Sequence, residues 1–173
     1  MVDIVCNQTC YTRNMKTYHD ALQQVKEWKQ QGNKVAFATG VFDILHIDHV
    51  RFLQKAQAAA DKLIIGVETD KRVEEMKGKH RPVNKQQIRV EQLSALRSVD
   101  FAFILPESFS TQQDWEDCMK AINPDIYAVS SHTKWLENKQ KICNKFGVQL
   151  AVVYQHNPEN STTLIEKKIQ GLE

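Results

Sequence analysis

The sequence predicts an α/β fold of three layers, a parallel sheet of about five strands with helices on both faces. Two observations carry this. Short apolar runs recur at five places, "KVAFATG", "KLIIGV", "FAFIL", "IYAV" and "VQLAVV". Between them lie longer segments whose apolar residues return at three- and four-residue spacing. Runs too apolar to alternate, separated by amphipathic helices, are the pattern of a parallel sheet covered on both sides. The 173 residues suit one domain with a sizeable core.

Residues 1–13 show no clear period. Met15, Tyr18, Leu22, Val25 and Trp28 then follow helical spacing, and Gly32 can end that helix. The first strand, "KVAFATG", stops at Gly40, and a helix runs from about Ile47 to Ala60. After "KLIIGV" comes a short helix over Asp70 to Met76 and a loop, "KGKHRPVN", punctuated by Gly78 and Pro82. Residues 86–97 are helical through Ile88, Leu93 and Leu96, and Pro106 closes "FAFIL". A helix over Gln112 to Ile122 ends before Asn123-Pro124, and "IYAV" is the fourth strand. Lys134 to Phe146 is helical, with Gly147 as its C-cap, and "VQLAVV" is the fifth strand. "NSTTLIEKKIQ" opens on capping residues and forms a last helix.

Composition narrows the function. Lys and Arg number 23 against 21 Asp and Glu, a net +2, and the basic residues are dispersed. A nucleic-acid binder would more often show a basic stripe, so nucleic acid is not expected as a partner. The four cysteines, Cys6, Cys10, Cys118 and Cys143, lack paired metal-ligand spacing and read as thiols in a reducing compartment. "VDIVC" is too short for a signal peptide's apolar region, and no apolar run approaches the roughly 20 residues of a membrane span. The expectation is a cytoplasmic protein without a membrane partner.

The stretch "TGVFDILHIDH", Thr39 to His49, falls where ligands bind in such folds, beyond the carboxyl end of a strand. His46 and His49 sit at or just inside the next helix start, and their spacing puts both rings on one face. Unpaired backbone N–H groups and the positive end of the helix dipole suit anions there. Two imidazoles add donors, so the place can hold a triphosphate and stabilise the charge that grows as pyrophosphate leaves. Gly40 allows a tight turn and close approach to a ligand. Asp43 can help hold magnesium through the phosphates. The same residues also admit plainer readings: a histidine pair that only caps or packs, or a metal site drawn from Asp43, His46, Asp48 and His49.

With these residues in view, "TGVFDILHIDHVRFL" resembles the signature of the cytidylyltransferase-like nucleotidyltransferases, a glycine, Phe-Asp and then His-x-Gly-His. The resemblance extends over about residues 34–170 and is nearest to adenylyltransferases acting on heptose phosphate, then to glycerol-3-phosphate cytidylyltransferases. "LIIGVETD", "MKGKHRPVNKQQIRVEQLSAL" and "NSTTLIEKKI" resemble further family segments in the right order. It implies a Rossmann-like nucleotidyltransferase domain over 34–173, preceded by an extension, 1–33, that carries one helix. The implied activity is transfer of AMP or CMP from an NTP, ATP favoured over CTP, to a sugar or polyol phosphate, with Mg2+ as cofactor. It implies catalytic roles for His46, His49, Lys77 and Arg89, the last two toward phosphate. Thr39, Gly40, Phe42, Asp43, Asp48, Ser130, Ser131, Ser161, Thr162 and Thr163 would form the nucleotide surface. A homodimer is also implied, and the N-terminal helix can extend its interface.

Two departures from that pattern stand out. Asp48 replaces the motif's glycine and sets a carboxylate beside a polyanion, although Asp suits the first turn of a helix. After "PDIYA", Val129, Ser130, Ser131 and His132 stand where the near relatives carry a lysine, two glycines and an aspartate. Both departures lie on the expected nucleotide surface. They favour a second reading, a family member without turnover that binds a nucleotide, a metabolite or a protein. A third, a flavodoxin-like binding module, shares the sheet but leaves the histidine pair unexplained.

Overall fold

The computed structural model describes residues 16–107, 109, 111–155, 164, 165 and 168. Eleven elements follow in chain order: α1 (Tyr18–Gln30), β1 (Val35–Gly40), α2 (Ile47–Gln57), β2 (Lys62–Val67), α3 (Asp70–Lys77), α4 (Gln86–Ser94), β3 (Phe101–Ile104), α5 (Gln112–Ile122), β4 (Ile126–Ser130), α6 (Leu136–Lys145) and β5 (Gln149–Tyr154). The strands form one parallel sheet in the order β3-β2-β1-β4-β5. Every expected strand is present. The chain winds outward from β1 through β2 to β3, then crosses back to β4. The switch point therefore lies between β1 and β4, where the carboxyl ends of the strands leave a crevice.

Alternation along β1 divides the core into two halves. Val35 and Phe37 face α1, α5 and α6 in a cluster rich in large rings, including Phe103 and Tyr127. Ala36 and Ala38 face α2 and α4, beside Ala102 and Ala128. Small side chains on that face let α2 lie close to the sheet, with Phe52, Leu53 and Ala56 buried against it. Close packing of α2 fixes where its first turn stands, and that turn carries the histidines.

The helix starts are set by local chemistry. Thr17 and Asp20 exchange hydrogen bonds in a capping box at α1, and Thr111 and Asp114 do the same at α5. At the amino edge of the sheet, Asp61, Asp100 and Asp125 accept the amides of Lys34, Leu63 and Val35, each at 2.8 Å. These bonds fasten the edge opposite the crevice. The apolar stripe of α1 is committed to the molecule's own core, since Ala21, Val25 and Trp28 are buried against the sheet and α5. Cys118 and Cys143 are free and buried. Among the described residues, no helix is long and apolar enough to cross a membrane. Leu164, Ile165 and Lys168 are helical, in line with the last expected helix. Its start, with Ser161, Thr162 and Thr163, lies outside the described residues.

Candidate functional site

A cleft of about 490 Å³ opens at the carboxyl ends of β1 and β4. One wall is the segment from Thr39 to His49 together with Lys77, and the other is the turn after β4 with α6. The first wall begins where β1 ends. Gly40 has an ordinary backbone and lines the cleft. A Cβ there would meet Phe42 Cε2 at 2.8 Å, so the missing side chain makes room for the Phe42 ring on the cleft wall. Phe42 turns the chain at φ 49°, in the left-handed region, and its buried ring meets the His49 imidazole edge-on at 5.3 Å. Gly40→Ala pushes that ring out of place. We expect a loss of about 1–3 kcal/mol, read from urea unfolding, and a weaker cleft.

Asp43 is buried, and both its oxygens are engaged. Asn84 N–H donates to Oδ1 at 2.7 Å and Val83 N–H to Oδ2 at 2.9 Å, while Arg81 Nε lies 2.8 Å from Oδ2. Two backbone donors and an ion pair thus pin the loop at 81–84 to the motif, and a metal at Asp43 would compete with all of them. Arg89 departs furthest from its expected role. It does not line the cleft, and its side chain is fully buried. Its Nη1 donates to Val41 O at 2.7 Å, its Nε to Asn84 O at 3.0 Å and its Nη2 to Asp70 at 2.8 Å. Buried and bonded to the interior through all three nitrogens, it positions the motif loop from outside the cleft. Asp70 also accepts the Gln86 amide and donates its own to Gln86 Oε1, so α3 and α4 start from one shared knot.

His46 is the N-cap of α2, with extended backbone, and His49 is its third residue. Their rings stack at 3.8 Å. His46 N–H points to His49 Nδ1 at 3.4 Å. Burial pushes the His49 imidazole down to about 3, helped by the charges of His46 and Lys77. A neutral ring that accepts at Nδ1 carries its proton on Nε2 and can donate from there. A depressed histidine lets the unfolded chain take the proton first. Its contribution to stability is complete above pH 6.5 and is lost as pH falls toward 3. The loss reaches about 2 kcal/mol at about pH 5. Urea midpoints at neutral and acid pH will show it, and His49→Gln will shrink it.

Asp48 is buried in the same turn and lines the cleft. Its carboxylate lies 3.5 Å from Arg51, and Tyr154 at the end of β5 lines the same cleft. The negative charge therefore has a local partner beside the place expected for phosphate. Lys77, the last residue of α3, also lines the cleft. Its ammonium lies below its ordinary pKa through desolvation and the nearby Arg81 charge, with Lys134 adding to the push.

On the second wall, Ser130 Oγ and His132 Nδ1 are 3.0 Å apart. Ser131 does not line the cleft; its amide continues the sheet by donating to Tyr154 O. Thr39 Oγ1 and the Tyr127 hydroxyl pair at 3.0 Å on the cleft floor. Lys134 and Lys139 supply positive charge to this wall. Sequence reading missed Tyr127, Lys134, Lys139 and Tyr154. Only the placement of Tyr127 inside the fourth strand, whose carboxyl end borders the crevice, could have hinted at one of them. Among the described residues, no three His, Cys, Asp or Glu side chains converge as a metal site.

The cytidylyltransferase-like family model matches residues 37–168. A bifunctional protein HldE from Wolinella succinogenes is 35% identical over 153 residues, 88% of this chain and 30% of that protein. The HldE protein of Sulfurimonas denitrificans is also 35% identical, over 89% of this chain and 31% of its own length. The chain thus spans about three tenths of these relatives. Among solved structures, a lipopolysaccharide core biosynthesis protein from Thermoplasma volcanium matches with TM-score 0.58 and 26% identity, over 73% of this chain and 98% of that one. A pantoate-beta-alanine ligase from Francisella tularensis, 13% identical over 80% of this chain and 67% of its own, shares the fold with TM-score 0.56.

Proposed function

Because this chain belongs to the cytidylyltransferase-like family, we propose that its cleft binds a nucleoside triphosphate, ATP in preference to CTP, and transfers the nucleotidyl group to a small phosphorylated acceptor. The acceptor is a sugar or polyol phosphate. Its phosphate oxygen attacks the α-phosphorus, the bond from that phosphorus to the bridging oxygen breaks, and pyrophosphate leaves with the electron pair. No covalent enzyme intermediate is required, so positioning and electrostatics carry the rate.

The observation that carries this reading is the stacked pair His46 and His49 at the start of α2, facing the cleft beside Lys77. The first-turn amides and the His49 Nε2 proton offer fixed donors to the triphosphate. Lys77 adds a mobile cation for the leaving pyrophosphate. Arg89, through Val41 and Asn84, holds the loop that aims these groups. Asp43 does not fit as an open metal ligand, so magnesium enters here as the counter-ion of the nucleotide and no step is assigned to it. Pyrophosphate release from Mg–ATP and from Mg–CTP, against a panel of sugar and polyol phosphates, tests the reading. Release that depends on one acceptor supports it, and no release with any pair contradicts turnover.

Asp48 favours a second reading, binding without turnover. A carboxylate about 4 Å from a phosphate costs about 1 kcal/mol even when well screened, and Arg51 offsets part of this. We expect Asp48→Gly to tighten Mg–ATP by up to about fivefold. A gain in affinity with pyrophosphate release would identify Asp48 as a brake. An unchanged affinity would show that Arg51 already offsets it.

A further inference from the structure

The two walls of the cleft come from opposite helical layers. The histidine pair belongs to α2, and Lys139 belongs to α6, which packs on the other face of the sheet with α1 and α5. Lys139 reaches the cleft over Tyr127 and Trp115, its Nζ lying 5.8 and 5.9 Å from their ring centroids. Among the described residues it makes one hydrogen bond, donating to Thr133 Oγ1 at 2.6 Å. An ammonium carries three donors, so two are left for the cleft that it lines. Glu68, just past β2, acts on it electrostatically across the floor. Burial lowers the Lys139 pKa and raises that of Glu68, and each charge opposes the other's shift. A partly desolvated cation held on two aromatic faces, with unspent donors beside an open cleft, is arranged to meet an anion.

Resting on the nucleotidyl-transfer reading, we propose that Lys139 is a substrate-contacting residue for the second substrate, its ammonium holding an anionic oxygen of the acceptor phosphate on the wall opposite the histidine pair. The chain then separates its two anions by layer. The triphosphate lies on the α2 side with His46, His49 and Lys77, and the acceptor phosphate lies on the α6 side with Lys139 and the Thr133 hydroxyl. Attack across the cleft requires this separation, because two polyanions on one wall would repel each other.

The test uses the full chain and two probes, Mg–ATP alone and inorganic phosphate in the presence of saturating Mg–ATP. Binding is followed by calorimetry and by amide shifts. Lys139→Gln should weaken phosphate about tenfold and leave Mg–ATP within about twofold, and Lys139→Arg should restore most of the loss. Lys77→Gln should do the reverse. Phosphate binding unchanged in Lys139→Gln, with nucleotide binding lost in Lys77→Gln, would overturn the assignment while leaving the nucleotide reading intact. A loss of Mg–ATP in Lys139→Gln equal to that in Lys77→Gln would place Lys139 on the nucleotide instead and also overturn it. If the native chain binds neither probe, the nucleotide reading falls and the assignment falls with it.

Discussion

Exchange of His49 for alanine is expected to lower the rate of pyrophosphate release by about 10²–10³-fold, the cost of removing a preorganised donor from a site where charge develops. The geometry explains the size. His49 is neutral, is held by stacking on His46 and by the Phe42 edge, and accepts the His46 amide. Its donor is therefore aimed before substrate arrives, and no reorganisation is needed at the moment of reaction. His49→Gln keeps a donor of similar reach and should recover part of the rate. A simple packing role would give the opposite ranking of effects, with stability lost in proportion to volume and turnover unaffected in the molecules that remain folded. Rates normalised to folded protein distinguish these outcomes.

The second large effect falls on Arg89, where sequence and structure disagree. A phosphate-binding arginine would be dispensable for folding. The buried Arg89 joins Asp70, Asn84 and Val41, so Arg89→Ala leaves two carbonyls without their donor and takes from Asp70 its shorter ion pair, with only Lys85 remaining at 3.9 Å. Breaking such a pair from one side costs about 3–5 kcal/mol. We expect urea unfolding to record that loss, with nucleotide binding lost as the loop from Val41 to Asp43 moves. Arg89→Lys keeps the charge but cannot reach three acceptors at once, so it should recover only part of the stability. A variant of native stability that failed only in phosphate binding would restore the role expected from sequence.

The fold was legible because its signals are local and periodic. The five apolar runs and the helical spacing of residues such as Leu22, Val25 and Trp28 follow from burial on a face, and that needs no knowledge of the partner. The histidine pair was legible because both residues lie within one helical turn. Lys139 was not, since a lysine on an amphipathic helix gives no sign of whether it faces solvent or a cleft. Arg89 misled for a related reason. Its type suits phosphate, but its donors are settled by carbonyls 5 and 48 residues away, which only the folded chain brings together. Gly40 lines the cleft, and its fit to the Phe42 ring two residues later is a packing relation that spacing does not reveal. Asp48 meets Arg51 within its own turn, which spacing could suggest, but that it shares the cleft with Tyr154 at the end of the far strand β5 lies beyond sequence reading.

The central claim is that the α2 start, with Asp48 in it, still holds a triphosphate. Calorimetric titration of the purified chain with Mg–ATP and then Mg–CTP tests it most directly. The account predicts saturable binding in the micromolar range, tighter for ATP and lost in His46→Ala/His49→Ala. No heat from either nucleotide up to about millimolar concentration, where binding energy falls to about 4 kcal/mol, would contradict it.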